Sequence, residues 1–412
     1  MDEVIALGNN LNGRKLPIIV FSLFFSWLLA FPFEGQVLYA LAHVYDIDVH
    51  SMVFESIAAH CLGLFVCGFL IKSIKAAKGI MLFSIAFCMA GSALFFFAPS
   101  LIWNVSLVLM SFLAGICVAA WGFYFKSCTL PNERIKTAAD VLIYSNILMI
   151  SINMAAIHLS PYVGLTLALL MLGLTMIFAI RLPEKVDKDS RAPMTKSKKN
   201  EGLVKPLAFL YLFIVIITIN SGLMYQVINP AFEHHQWLVS WYWAVPYIVA
   251  LFIMKNLPPK INRTYILYVA IAMMGFAFIS FMTFDNSALS YLFINTLMLG
   301  ACGVYDIFWW SILGEMLDFD DNPAKILGIG LSANVLGVLI GGMVGNAITT
   351  VDARNYNSSI LALVIVFIIL IILPLLHKQL SKLLKNHVFL SVLSEMSLIE
   401  KAEAIESFTI TG

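Results

Sequence analysis

Long apolar runs, each about the length needed to cross a bilayer, alternate along the chain with short polar or basic connections. Read by hydrophobicity and turn punctuation, the runs predict helices near 16–41, 52–71, 79–98, 102–125, 137–158 and 161–180. A polar stretch from Arg181 to Lys205 follows. The pattern then resumes near 206–227, 237–254, 264–284, 288–313, 325–349 and 359–377. A spanning helix needs about 20 apolar residues, and only helices or closed barrels satisfy their backbone inside lipid. The fold class expected is therefore an all-α polytopic membrane protein of twelve transmembrane helices, arranged as two six-helix bundles. The domains expected are a first bundle over 1–180, a cytoplasmic linker over 181–205, a second bundle over 206–378 and an amphipathic cytoplasmic tail over 379–412.

The charges test this reading independently, because the helices were placed without them. Of the 25 Lys and Arg residues, all except Arg354 fall on the side that carries the amino terminus. Positive charge gathers on the cytoplasmic side of membrane proteins, so both termini are expected in the cytoplasm, in the cell membrane. Hydrophobic residues at 61% and charged residues at 12% agree with a lipid setting, and a net charge of +1 gives no reason to expect nucleic acid as a partner. Five of the six cysteines fall in apolar runs and Cys128 falls in a basic loop, so neither disulfides nor a metal site is expected.

An internal repeat is visible. Lys72 to Lys78 corresponds to Lys255 to Arg263, Gly91 to Gly275, Gly115-Ile-Cys117 to Gly300-Ala-Cys302, and Gly35 to Gly222. The turns Leu130-Pro-Asn-Glu-Arg134-Ile-Lys136 and Asn322-Pro-Ala-Lys325-Ile-Leu-Gly328 occupy matching places before the fifth and eleventh helices. With these turns, the sixfold halves, the central linker and the paired basic loops, the chain resembles the major facilitator superfamily over nearly everything up to about residue 380. The resemblance implies a secondary transporter whose halves rock about a midplane cavity. The family's first basic loop carries an Asp and an Arg-rich Gly turn that latch the halves on the cytoplasmic side, and Lys72 to Lys78 has neither. Together with the amphipathic tail ending at Gly412, this departure raises an alternative. Some facilitator-like membrane halves are fused to LuxR-type DNA-binding domains, and such a half would sense a ligand in the same cavity, its DNA-binding domain being absent from this chain.

Ionisable groups inside apolar runs are the first candidates for chemistry, because lipid makes them costly. Glu34 lies in Phe31-Pro-Phe-Glu-Gly-Gln36, where Pro32 and Gly35 predict a kink beside a cavity. Asp306 lies in the tenth helix, opposite Trp121 in the repeat, and His60 falls near the middle of the second. Each has a competing reading as a hydrogen-bonded structural group. Glu55 and Asp140 read as helix-capping acids of a first turn. Asn220, Ser221 and Gln226 are candidates for neutral hydrogen bonds to a ligand, or between helices. Trp309 and Trp310, with Trp241, Tyr242 and Trp243, supply aromatic surface, while Trp237, Trp241 and Trp243 also read as an interfacial belt, the first of them above all. Acids and aromatics with no Lys or Arg inside the runs favour a small organic cation or a neutral amphiphile as substrate, with a proton or other ion as coupling partner.

Gly337, Gly341 and Gly345 recur every four residues and predict a close packing seam. The acidic turn Glu315, Asp318, Asp320 and Asp321 reads as solvated, or as a partner for the basic loops. No nucleophile–base pair, phosphate loop or nucleotide fingerprint is present, so the chain is expected not to be an enzyme and to carry no cofactor.

Overall fold

The computed structural model describes residues 2–33, 35–185, 204–258, 261, 263–349, 356–381 and 384. Glu34, most of the expected linker and most of the expected tail lie outside the described residues. The helices are α1 (Asp2–Ala30), α2 (Gln36–Val44), α3 (His50–Leu70), α4 (Ile74–Ala93), α5 (Leu101–Ala120), α6 (Gly122–Ser127), α7 (Arg134–His158) and α8 (Pro161–Ala179). They continue with α9 (Val204–Leu223), α10 (Asn229–Ala231), α11 (Gln236–Val239), α12 (Val245–Asn256), α13 (Arg263–Thr283), α14 (Ala288–Met316), α15 (Pro323–Thr349) and α16 (Tyr356–Leu380). Among the described residues eleven helices are long and apolar enough to cross a membrane, and a bent pair around Ser240 and Trp241, taken as one span, makes twelve. Large apolar side chains such as Phe97, Phe276, Phe367 and Ile371 are exposed on the outside, where lipid is their natural solvent.

Local chemistry explains where many helices start and stop. Ser73, Ser100, Ser160 and Ser287 each stand before a helix and accept a hydrogen bond from a first-turn amide, which satisfies a donor left free at the helix start. Asp285 extends the last of these caps: hydrogen bonds from Ser290 and Ser287 hold its exposed carboxyl below the ordinary carboxylate range.

Among the described residues three spans depart from regular α-helix on the side away from the amino terminus. The first breaks between α1 and α2, as Pro32 and Gly35 predict. Gly35 turns so tightly against Ala30 that an added Cβ would overlap its main chain, and Ser56 Oγ donates to the freed Pro32 carbonyl at 2.9 Å. The seventh span ends in a π-helical turn, Met224–Ile228, before Pro230. The eighth, expected as one helix over 237–254, is two pieces bent by 64°. Hydrophobicity counts apolar residues and is blind to such a bend.

The helix pairings repeat. In the first half α1 packs on α7 and α8, and α4 packs on α5 and α8; in the second, α9 packs on α15 and α16, and α13 packs on α14 and α16. Likewise α3 packs on α5 and α12 on α14. These are corresponding pairs in two six-helix bundles. The bundles meet along α3 with α15, α7 with α12 and α14, and α5 with α15.

Packing corrects the repeat register read from sequence. Gly115 approaches the main chain of α3 at His60, but Gly300 does not approach α12; Gly303, three residues on, does so at the Tyr247 carbonyl, 2.9 Å from its built Cβ. In this register His60 corresponds roughly to Tyr247 and Trp121 to Trp309, while the counterpart of Asp306 is Val118 rather than Trp121. Glycine identities alone chose the wrong neighbour because α14 holds two glycines one turn apart.

Candidate functional site: a cavity between the bundles

A cavity of about 170 Å³ lies where the bundles meet. Among the described residues, Phe25, Phe33, His60, Val118 and Asn146 line it from the first bundle, and Ser221, Tyr225, Trp243, Tyr247, Cys302, Asp306, Trp309, Trp310 and Asn334 from the second. Interrupted spans supply part of this wall: Phe33 stands at the break of the first, Tyr225 in the π turn of the seventh and Trp243 just past the bend of the eighth.

Asp306 is the one carboxylate among these lining residues, and no Lys or Arg is among them. Tyr247 donates its hydroxyl to Oδ2 at 2.6 Å, and the Trp309 indole N–H donates to Oδ1 at 3.1 Å. Both donors are neutral, so the carboxylate is oriented without being neutralised. His60 is buried and lies 3.2 Å from the Ser111 carbonyl through Nδ1. A carbonyl only accepts, so Nδ1 carries the proton and Nε2 is the nitrogen left for the cavity. Asn146 is anchored to its own helix by a bond from its amide to the Leu142 carbonyl at 2.8 Å.

Of the residues expected from sequence, the cavity therefore gathers His60, Ser221, Asp306, Trp309 and Trp310. It does not gather Asn220 or Gln226. Asn220 is fully buried and its amide reaches the Ala362 carbonyl at 3.5 Å, while Gln226 packs against Gly342 and Gly345 of α15. Tyr247, Tyr225, Asn146 and Asn334 were not singled out in the sequence. Tyrosine and asparagine inside an apolar run carry no mark that separates a cavity wall from a helix contact.

An aromatic layer closes the cavity on the amino-terminal side. Trp310 contacts Phe21, Trp121 and Phe125 of the other bundle at ring-centroid distances of 6.3, 6.5 and 6.3 Å, and Trp121 donates to the Pro17 carbonyl at 3.0 Å. Near that face an ionic layer also joins the bundles. Arg134, only 2% exposed, grips both oxygens of Asp318 at 2.8 and 2.7 Å and the Gly314 carbonyl at 2.7 Å. Asp140 pairs with Arg14 of its own bundle at 2.7 Å and with Lys255 of the other. Lys126 donates to the Asp320 carbonyl at 2.7 Å, and Asn322 to the Gly68 carbonyl at 2.7 Å.

These contacts correct two expectations. Asp140 is not a first-turn cap, because α7 starts at Arg134 and the carboxylate is spent on two cations. The acidic turn is tied to the basic loops through Asp318 and Asp320 rather than simply solvated. Glu55 is likewise one turn beyond the start of α3, and it is exposed.

Toward the other face the bundles touch through side chains. His158 Nε2 lies 3.2 Å from Ser240 Oγ, whose hydroxyl points at the Trp237 carbonyl at 2.7 Å. Trp237 itself is 64% exposed, as expected of a belt residue. Among the described residues there is no group of three or more His, Cys, Asp or Glu placed to hold a metal ion.

No protein-family model and no curated protein sequence matches this chain. Solved structures do resemble it. The human organic anion transporter MFSD10 (TETRAN) superposes with a TM-score of 0.65 at 14% identity, over 89% of this chain and 98% of that one. A bacterial homologue of the iron transporter ferroportin, in an outward-facing state with soaked iron, gives 0.66 at 13% identity over 90% and 99%. The Major Facilitator Superfamily transporter FucP, in the outward conformation, gives 0.61 at 12% identity over 89% and 99%. At such identities the likeness is one of fold, and site chemistry is not inherited with it. Repeated helix pairing within each half and near-complete superposition on these structures establish that this multi-pass membrane protein has the twelve-helix, two-bundle fold of the major facilitator superfamily.

Proposed function

We propose that the chain is a secondary active transporter that carries a small organic cation or neutral amphiphile by alternating access, coupled to protons. One observation supports this most: a cavity with a carboxylate on its wall lies between two bundles held together on one face by breakable ion pairs. Rocking would separate Asp140 from Lys255 and Arg134 from Asp318, part the aromatic layer and open the amino-terminal face. We take that face as cytoplasmic from its basic loops, with the bundles over 1–180 and 206–378, a linker between them and a cytoplasmic tail. The role of the missing Asp in the loop after α3 would pass to Asp140 and Asp318. Although MFSD10 is an organic anion transporter, an anion would meet Asp306 here with no Lys or Arg among the lining residues to offset it.

The test is current recording on proteoliposomes adsorbed to a solid-supported membrane, with organic cations and neutral amphiphiles under an imposed pH gradient. Substrate-dependent current lost in Asp306→Asn or Glu34→Gln is expected. Binding without current would instead favour a ligand-sensing membrane module.

A further inference from the structure

Resting on the reading of the cavity as the substrate site, the geometry points to a narrower ligand class: a compact monovalent organic ammonium, held between the Asp306 carboxylate and the surrounding aromatic faces. Three observations converge. Charge comes first. Asp306 carries the one carboxylate among the described lining residues, and its partners Tyr247 and Trp309 are neutral donors. A carboxylate has about four acceptor positions, so the two donors leave room for a third and fourth N–H or a bare cation from the ligand. A buried charge needs a partner, and no Lys or Arg among the described lining residues supplies one, so a ligand with one positive charge can take the place that a proton would otherwise fill. Among the described lining residues a dication would find no acid for its second charge.

Shape comes second. Trp243, Trp309, Tyr225 and Phe33 line the cavity, and the negative faces of such rings attract ammonium groups, quaternary ones included. An inorganic cation would be poorly served, because it calls for about six oxygen ligands and these walls are largely carbon.

Size comes third. A cavity of about 170 Å³ is close to the roughly 150 Å³ cavity known to admit benzene, which matches a ligand of about six to ten heavy atoms. Bulky lipophilic cations exceed this volume.

Equilibrium binding to the full chain in nanodiscs tests this with three probes: choline, its neutral isostere 3,3-dimethylbutan-1-ol, and the bulky cation tetraphenylphosphonium. Choline is expected to bind at least about 10-fold more tightly than either of the others. Asp306→Asn should weaken choline by about 10-fold or more while leaving the isostere unchanged, which a misfolded variant would not do. Tyr247→Phe should weaken choline by about threefold, through loss of the bond that aims the carboxylate. Equal affinity for choline and the isostere, equal weakening of both by Asp306→Asn, or tighter binding of tetraphenylphosphonium would overturn the assignment. Uptake of labelled choline into proteoliposomes separates the two levels. Binding that meets these expectations without uptake keeps the ammonium site and removes the transport reading. Uptake of the neutral or bulky probe without preference for choline keeps transport and removes the ammonium site.

Discussion

Asp140 is a residue whose meaning changed with its surroundings. In the sequence it is an acid near the start of an apolar run, where charge is unremarkable; in the fold it is 10% exposed and serves two cations whose sequence separations are 126 and 115 residues. Removing its charge leaves Arg14 and Lys255 facing each other with no anion between them. Asp140→Asn should therefore destabilise by about 3–5 kcal/mol, the cost of an uncompensated buried charge, whereas Lys255→Ala, which leaves Asp140 paired with Arg14, should cost about 1 kcal/mol. Apparent melting temperatures of the two variants in detergent check the order, and equal shifts would refute the bridging role.

Asp306 and His60 were legible from sequence because lipid penalises ionisable groups, so their presence alone marks them. Tyr247 was not, although it makes the shorter hydrogen bond to Asp306.

At the scale of elements, the glycine seam of α15 sets how closely it can approach α9. Built Cβ atoms at Gly337 and Gly341 would collide with the Val215 and Ile219 carbonyls, and one at Gly222 with the Val338 carbonyl. Gly341→Leu is expected to abolish folding, read as loss of the monodisperse peak in size-exclusion chromatography, because overpacking here meets main chain that cannot yield. Gly173→Ala in α8 is the control: nothing lies within 4 Å of its built Cβ, and alanine should be neutral or stabilise the helix by up to about 1 kcal/mol. The bent eighth span yields another expectation. Ser240 stands at the bend and accepts from His158, so Ser240→Ala should free the outer piece, and amide exchange over 233–243 should quicken several-fold. Unchanged exchange would mean that the bend is held by packing alone.

At the scale of the whole molecule, the bundles are locked more firmly on one face than on the other. Near the amino-terminal face main chain meets main chain, with Gly68 against Lys325 and Gly328 against Leu64, and ion pairs and an aromatic layer add to the closure. On the opposite face the bundles touch through side chains such as His158 with Ser240 and Phe54 with Gly342. Spin labels at Lys75 and Asn256 would report on the amino-terminal face. The label separation should lengthen in an Asp318→Asn, Asp140→Asn double variant and stay short in the parent. Arg134→Ala combined with Asp318→Asn should be less than additive, with a coupling of about 1–2 kcal/mol, because the two changes remove one shared contact. Full additivity would mean that the pair does not hold the face shut.

The sequence by itself determined the class, the number of spans and their division into repeating halves, because lipid imposes helix length and hydrophobicity on every segment independently of its neighbours. It also marked Asp306 and His60, which line the cavity. Only the tertiary structure decided the register of the repeat, the bend of the eighth span, the pairing of Asp140 and Asp318 with the basic residues, and which polar side chains look inward. Those depend on contacts between residues from about fifty to nearly two hundred positions apart, and such contacts leave no periodicity in the chain that makes them.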